Sequence, residues 1–419
     1  MMARIVYSAL LYLLVPFILL RLLLRARKQP EYLHNVGERF GFYGQRPENP
    51  VIWVHAVSVG ETRAAQPLIE ALLQRWPTHR ILLTGMTPTG RATGLAVYGD
   101  RVIQAYLPYD LPDAVNRFFR HFSPDFGVLM ETEIWPNLLA GAARRNLPVL
   151  LVNARLSARS ARGYARFAPL VRPAFASLCA VAAQSEADGA RLSALGAGRV
   201  EVCGNLKFDV APSPGILALG RQWRSQLAGR PVFLAASTRE GEESLVLDAW
   251  LNSAANALLV LVPRHPQRFA EVEALLQQRG LRHVRRSEGL PAPDTQVWLG
   301  DSMGEMVAYY ALADLAFIGG SLLPLGGQNL IEAAACACPV VVGPHTFNFL
   351  RATEDAIAAG AAQRVADVPG LTIAVDRLLQ AENELAAMRL AASAFAEAHR
   401  GATQRTLQLI ERCSVRAER

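Results

Sequence analysis

Short runs of buried-type residues recur along this chain with helical stretches between them, and that alternation is what most narrows the fold. In the first half the runs are Val51–Val54, Ile81–Thr84, Gly127–Met130, Val149–Asn153, Ala180–Ala183 and Val200–Cys203. In the second they are Val232–Ala236, Leu258–Val262, Gln296–Leu299, Leu315–Ile318 and Val340–Gly343. Continuous apolar strands separated by helices argue for βαβ units and a parallel sheet covered on both faces. The series breaks once, at Ala211-Pro212-Ser213-Pro214-Gly215, where two prolines and a glycine predict an extended linker. From Leu371 onward the chain reads as Ala- and Leu-rich helix, interrupted between Ala391 and Ile410 only by Gly401. Fixed-period repeats and low-complexity tracts are absent from the sequence, which removes solenoids and propellers. The expectation is an α/β protein of two Rossmann-like domains, 29–210 and 211–390, facing a central cleft. Residues 391–419 form a C-terminal helix free to pack back on the first domain.

A chain of 419 residues exceeds the size at which one core stops growing, and its 51% hydrophobic against 19% charged residues describe a packed protein. The 43 basic residues exceed the 36 acidic ones, a modest surplus suited to an anionic ligand or membrane. Basic and aromatic residues do not interleave as they do in nucleic-acid modules, so no nucleic-acid partner is expected. The five cysteines, Cys179, Cys203, Cys336, Cys338 and Cys413, are scattered without zinc-site spacing, and neither a disulfide nor a metal is expected.

At the N-terminus Ile5–Leu20 is almost wholly apolar, Leu22–Leu24 extends it past Arg21, and Arg25, Arg27 and Lys28 follow. A signal peptide would carry its charge before the apolar core and a cleavage site after it, so the segment 1–28 is read as a retained membrane anchor, spanning or half-embedded. The excess of cations after the segment places the body on the cytoplasmic side of the membrane. A buried core helix is the competing reading of the same run.

The run His55-Ala56-Val57-Ser58-Val59-Gly60-Glu61 follows the first strand directly, and a carboxylate there stands at the sheet's carboxyl edge, where open α/β sheets keep their ligand crevices. Glu61 is therefore a candidate general base, although an acidic residue in a first helical turn is also an ordinary helix start. Pro263-Arg264-His265-Pro266 puts a guanidinium at another strand's end, suited to a phosphate or to a surface ion pair. Gly319-Gly320-Ser321 and Gly326-Gly327-Gln328-Asn329-Leu330-Ile331-Glu332 resemble the Gly-rich entry to a helix that receives a nucleotide, with Glu332 placed to bind ribose. Neither Gly-x-Gly-x-x-Gly nor Gly-x-x-x-x-Gly-Lys-Ser/Thr occurs, which argues against dinucleotide redox and P-loop hydrolysis and leaves a nucleotide serving as sugar carrier.

With Glu38-Arg39-Phe40-Gly41, Glu131-Thr132-Glu133-Ile134-Trp135-Pro136-Asn137, Asn153-Ala154-Arg155-Leu156-Ser157 and Gly204-Asn205-Leu206-Lys207 in the same order, the chain resembles the Kdo (3-deoxy-D-manno-octulosonic acid) transferases of lipopolysaccharide assembly over nearly its whole length. That resemblance implies a GT-B glycosyltransferase that moves Kdo from CMP-Kdo to a lipid A precursor (lipid IVA), inverting the anomeric carbon and using no metal or other cofactor. It implies Glu61 as proton acceptor and Glu131 and Lys207 as transition-state stabilisers. Without it, a helix cap and a surface cation describe the latter pair equally well. Pro263, Arg264, Gly304, Glu305, Met306, Asn329, Leu330, Ile331 and Glu332 match the family's CMP-binding positions. The last turn departs from the family's Gly-Gly-His-Asn-Pro-Leu-Glu, with Gln328, Leu330 and Ile331 at the His, Pro and Leu positions. Inner-membrane lipids complete the implied partners. A GT-B enzyme of another nucleotide-sugar specificity and a membrane-tethered nucleotide-binding scaffold are the competing functions.

Overall fold

The computed structural model describes residues 2–27 and 29–414, so Lys28 of the basic flank and the last residues of the expected 391–419 segment lie outside the described residues. Among the described residues two parallel sheets of seven strands form. The first contains β1 (Val51–His55), β2 (Arg80–Gly85), β3 (Val102–Tyr106), β4 (Phe126–Met130), β5 (Val149–Ala154), β6 (Ala180–Ala183) and β7 (Val200–Val202), in the order β3-β2-β1-β4-β5-β6-β7. The second contains β8 (Val232–Thr238), β9 (Leu258–Pro263), β10 (His283–Arg285), β11 (Val297–Leu299), β12 (Leu315–Ile318), β13 (Val340–Val342) and β14 (Ala362–Arg364), in the order β10-β11-β9-β8-β12-β13-β14. In each sheet the strand that comes first in the chain lies inside, with later strands added on both sides. The order therefore reverses at β1/β4 and at β8/β12, the switch points where such sheets open a crevice at their carboxyl ends.

Both faces of the first sheet are covered. Along β1, Val51 and Trp53 face a core with Phe118, Phe119 and Leu139, whereas Ile52 and Val54 face one with Leu68, Leu72, Leu409 and Ile410. Trp53 fits because its register partner on β4 is Gly127. A Cβ at Gly127 would lie 2.6 Å from the indole Cε3, inside contact distance. In the second unit Phe233, Leu259, Leu261 and Phe317 build the corresponding core with Trp250, Leu371 and Leu378 from the covering helices.

Three strands escape the apolar-run criterion: β3, β10 and β14. All three are sheet edges, and β3 and β10 carry polar, half-buried positions such as Gln104 and His283, because an edge strand needs less apolar cover than a central one. The proline-rich segment is shorter than predicted. Pro214 and Gly215 are not extended but open the helix Pro214–Ser225, proline being favoured at a first helical position where its missing N–H is not needed.

The chain divides into two compact units, one holding the residues up to Val210 together with those from Arg400 on, the other Ala211–His399. The return to the first unit therefore starts at Arg400 rather than at Ala391, which still lies in the second unit's helix Glu382–Ala398. Gly401, with φ of 91°, makes the turn. Asp209 then accepts the N–H groups of Gly401 at 2.7 Å and Thr403 at 2.5 Å, capping the helix Ala402–Ser414 against the loop after β7.

Candidate active site

In the first unit the residues singled out from the sequence converge at the switch point. Ser58 is the N-cap of the short helix Val59–Ala64, and Glu61 stands three positions later. The Ser58 Oγ accepts the Glu61 N–H at 3.3 Å and donates to Glu61 Oε1 at 3.0 Å, while Oε2 accepts the Val57 N–H at 2.8 Å. This is a capping box whose carboxylate reaches one residue further back than usual. The ordinary helix-start reading and the candidate-base reading thus describe the same side chain. Two of the roughly four lone-pair positions of a carboxylate are occupied, which leaves acceptor capacity for a ligand hydroxyl.

Burial lifts the Glu61 carboxyl from its ordinary 4.5 to about 7, with the negative charges of Glu131 and Glu133 adding to the rise and the Val57 and Ser58 hydrogen bonds opposing it. Glu133 is itself raised, chiefly by burial, although its carboxylate accepts the Trp135 indole N–H at 2.9 Å. Glu131 follows β4 directly, with a left-handed φ of 57° that few non-glycine residues adopt. The Glu131 N–H is held by the Val152 carbonyl at 2.9 Å. Its carboxylate meets Lys207 Nζ at 3.4 Å, with Glu131 and Lys207 both partly buried. Lys207 arrives from beyond β7 because Asn153, another left-handed residue (φ 51°), accepts the Leu206 N–H on its Oδ1 at 3.1 Å. The sequence reading gave Asn153 no role. Its buried side chain is what sets the turn that delivers the lysine.

In the second unit the residues expected to hold the nucleotide follow neighbouring strands at one sheet edge. Pro263 ends β9 and Arg264 follows it, its N–H on the Thr238 carbonyl at 2.9 Å and its side chain exposed. Partial desolvation and the guanidiniums of Arg239, Arg264 and Arg268 hold the neighbouring His265 below the usual imidazole range. That places several cations at the carboxyl edge of β8 and β9. Gly304, Glu305 and Met306 follow β11. Glu305 accepts from Arg286 at 3.1 Å and from Ser302 Oγ at 2.5 Å, so its carboxylate is engaged within the protein.

Asn329 receives the Ile331 N–H at 3.1 Å and donates to Glu332 Oε1 at 3.1 Å. The helix after the glycines is short, Ile331–Ala335, and starts beyond Gly326 and Gly327, with Glu332 in its first turn. Leu330 and Ile331 are each only 1% exposed, so they pack inward and only their backbone faces the turn.

The sequence reading missed Glu242. It is wholly buried and accepts the N–H groups of Arg239 at 3.1 Å, of Leu322 at 3.0 Å, and of Gly320. One carboxylate therefore ties the loop after β8 to the Gly-rich loop after β12 across the second switch point. Beside it Glu243 accepts from Thr238 Oγ1 at 2.9 Å and Arg268 at 2.7 Å. Thr238-Arg239-Glu240-Gly241-Glu242-Glu243 after a strand, set against Ser58-Val59-Gly60-Glu61 in the first half, was the available signal.

Residues 34–210 match the family described as 3-Deoxy-D-manno-octulosonic-acid transferase (kdotransferase). The chain is 48% identical over 430 residues to a 3-deoxy-D-manno-octulosonic acid transferase of Bordetella pertussis, covering 98% of this chain and 99% of the other. It is 38% identical to the enzyme of that name from Haemophilus influenzae, covering 98% of both. A glycosyltransferase structure from Rickettsia africae aligns with a TM-score of 0.60 at 12% identity over 88% of this chain and 99% of its own. Anabaena HepE in complex with UDP aligns with a TM-score of 0.60 at 15% identity over 87% of this chain and 100% of its own. At those identities the two structures speak for the GT-B fold alone. On its whole-length identity to enzymes of that name, the chain belongs to the 3-deoxy-D-manno-octulosonic acid transferases.

Proposed function

We propose that this transferase moves Kdo from CMP-Kdo to a hydroxyl of a lipid A precursor, lipid IVA, in lipopolysaccharide assembly at the cytoplasmic face of the inner membrane. It does so with inversion and without a metal ion. The acceptor oxygen forms a bond to the anomeric carbon as the bond from that carbon to the CMP phosphate oxygen breaks. Glu61 takes the hydroxyl proton and CMP departs as the anion.

The observation that carries this reading is the Glu61 carboxyl, held by its own turn at a switch point and raised to about 7. A base with its pKa near working pH combines a useful ionised fraction with proton affinity. The Glu131–Lys207 pair supplies both signs of charge in the same unit, suited to a transition state in which charge redistributes at the sugar. For the leaving phosphate, Arg264 and Arg239 provide cations at the carboxyl edge of β8 and β9.

Transfer and binding are measured separately on Glu61→Gln with CMP-Kdo and tetraacyl lipid A precursor. Loss of turnover with CMP affinity retained is the expected result. Undiminished turnover would remove Glu61 as the base, and a product of unchanged acceptor mass would remove the acceptor assignment.

A further inference from the structure

The N-terminal helix Met2–Ala26 is long and apolar enough to cross a membrane, yet it is seated on the first unit along most of its length. The seated side is one stripe, Ser8, Leu11, Val15, Ile18, Leu22 and Ala26, at three- and four-residue spacing, with Leu22 and Ala26 buried and the others half-buried. Such spacing is how a helix lies on a surface.

Near the helix start the seat is polar. The Tyr7 hydroxyl donates to Asp110 Oδ2 at 3.0 Å, the Asn137 amide donates to Ser8 Oγ at 3.0 Å, and the Tyr12 hydroxyl donates to Asp113 Oδ1 at 2.5 Å. Asp110, only 3% exposed, also accepts the N–H groups of Asn137 at 2.9 Å and Leu138 at 2.7 Å, where the helix Pro136–Ala143 begins. Asp113 is paired with Arg117 at 2.7 Å, and both side chains are open to the surroundings.

Suppose the helix stood upright with Arg21 at the headgroups. At 1.5 Å per residue Tyr7 would then lie roughly 20 Å deep in a hydrocarbon core about 30 Å thick. Asp110 would be carried to that depth with it, and the open Asp113–Arg117 pair, held by Tyr12, to roughly 14 Å, where ionised side chains are strongly disfavoured.

We propose that this helix does not cross the bilayer but lies in the plane of the membrane surface as a fixed part of the first unit. The face away from the seat consists of Val6, Leu13, Phe17, Leu20 and Leu24, each between 50% and 71% exposed, and it enters the boundary between headgroups and acyl chains. Arg21, Arg25 and Arg27 at the far end suit anionic lipid phosphates. On the body, Phe42 is an exposed aromatic whose ring centre lies 4.5 Å from the guanidinium of Arg117, the partner of Asp113.

The test is sidedness. Met2→Cys, at an exposed position, is bound to sealed phosphatidylethanolamine–phosphatidylglycerol vesicles with the body outside, the parent chain and its five cysteines serving as background. Labelling above background by an impermeant maleimide added outside, and not by the same reagent sealed inside, is expected. Labelling by the internal reagent would overturn the proposal. A thiol's sidedness does not depend on what Glu61 does, so this result stands apart from the catalytic one.

Discussion

Glu61→Gln separates function from stability because the same burial that tunes the carboxyl opposes the fold. A carboxyl raised from 4.5 to about 7 holds its proton more tightly in the folded chain than in the unfolded one. The resulting stabilisation is full below the unfolded value and is lost as pH rises towards 7, because over that window the native state binds more protons than the unfolded state. At 1.36 kcal/mol per unit, most of the shift falls between about pH 5 and pH 8 and amounts to about 2.5 kcal/mol. Glutamine does not titrate and escapes this loss. Its amide has one acceptor oxygen where the carboxylate has two, so it cannot accept both the Val57 N–H and the Ser58 hydroxyl as they now stand, which costs about 1 kcal/mol at every pH. The variant's stability relative to the parent should therefore rise with pH, and for a unit of this size the melting-temperature gap should move in the variant's favour by about 5–10 °C. Above about pH 7 its turnover should lie roughly 100- to 10,000-fold below the parent's, and the parent's turnover should climb with pH to a plateau above about 7. Calorimetry and initial rates at the two pH values are sufficient. A gap that does not move with pH would refute the buried-carboxylate argument, and a variant with parental turnover would refute the base.

Lys207→Ala and Glu131→Gln should each slow turnover by about 100-fold, and the double variant should be less impaired than the product of the two, with a coupling of at least about 0.5 kcal/mol in a double-mutant cycle. Additive losses would mean that the 3.4 Å pair does not act as a unit. Glu242→Ala leaves three buried N–H groups unpaired and should cost at least about 3 kcal/mol together with weakened CMP binding, read by thermal unfolding and calorimetric titration. Glu242→Gln, which keeps an acceptor oxygen, should lose less on both counts. Gly127→Ala drives a methyl into the Trp53 indole and should cost about 1–3 kcal/mol, seen as a lower melting temperature with quenched or shifted tryptophan emission. Parental stability would show that the sheet gives way there.

Central strands and their order of appearance were legible because a strand covered on both faces is apolar along nearly its whole run, and β1, β4, β8 and β12 all read so up to their carboxyl ends. Of the four edge strands, β3, β10 and β14 were not, since positions such as Gln104 and His283 face partly into solvent and carry no signal that distinguishes them from loop. Glu61, Glu131 and Lys207 could be marked as candidates because each follows a recognisable strand, and strand ends are where parallel sheets keep ligands. Pro214 misled because proline signals an interruption equally well at a linker and at a first helical turn, and only the following chain's packing distinguishes them.

The residue sequence by itself therefore determined the two α/β units, the apolar N-terminal helix and the carboxylate after the first strand, all consequences of local pattern. Tertiary structure alone decided that Glu61 is raised to about 7, that Asn153 delivers Lys207 to Glu131, that Glu242 ties two loops of the second unit together, and that Tyr7 and Tyr12 seat the N-terminal helix on Asp110 and Asp113. Each of these depends on burial or on partners from tens of residues to more than a hundred residues away in the chain, and desolvation and hydrogen bonding act between neighbours in space, which no window of sequence contains.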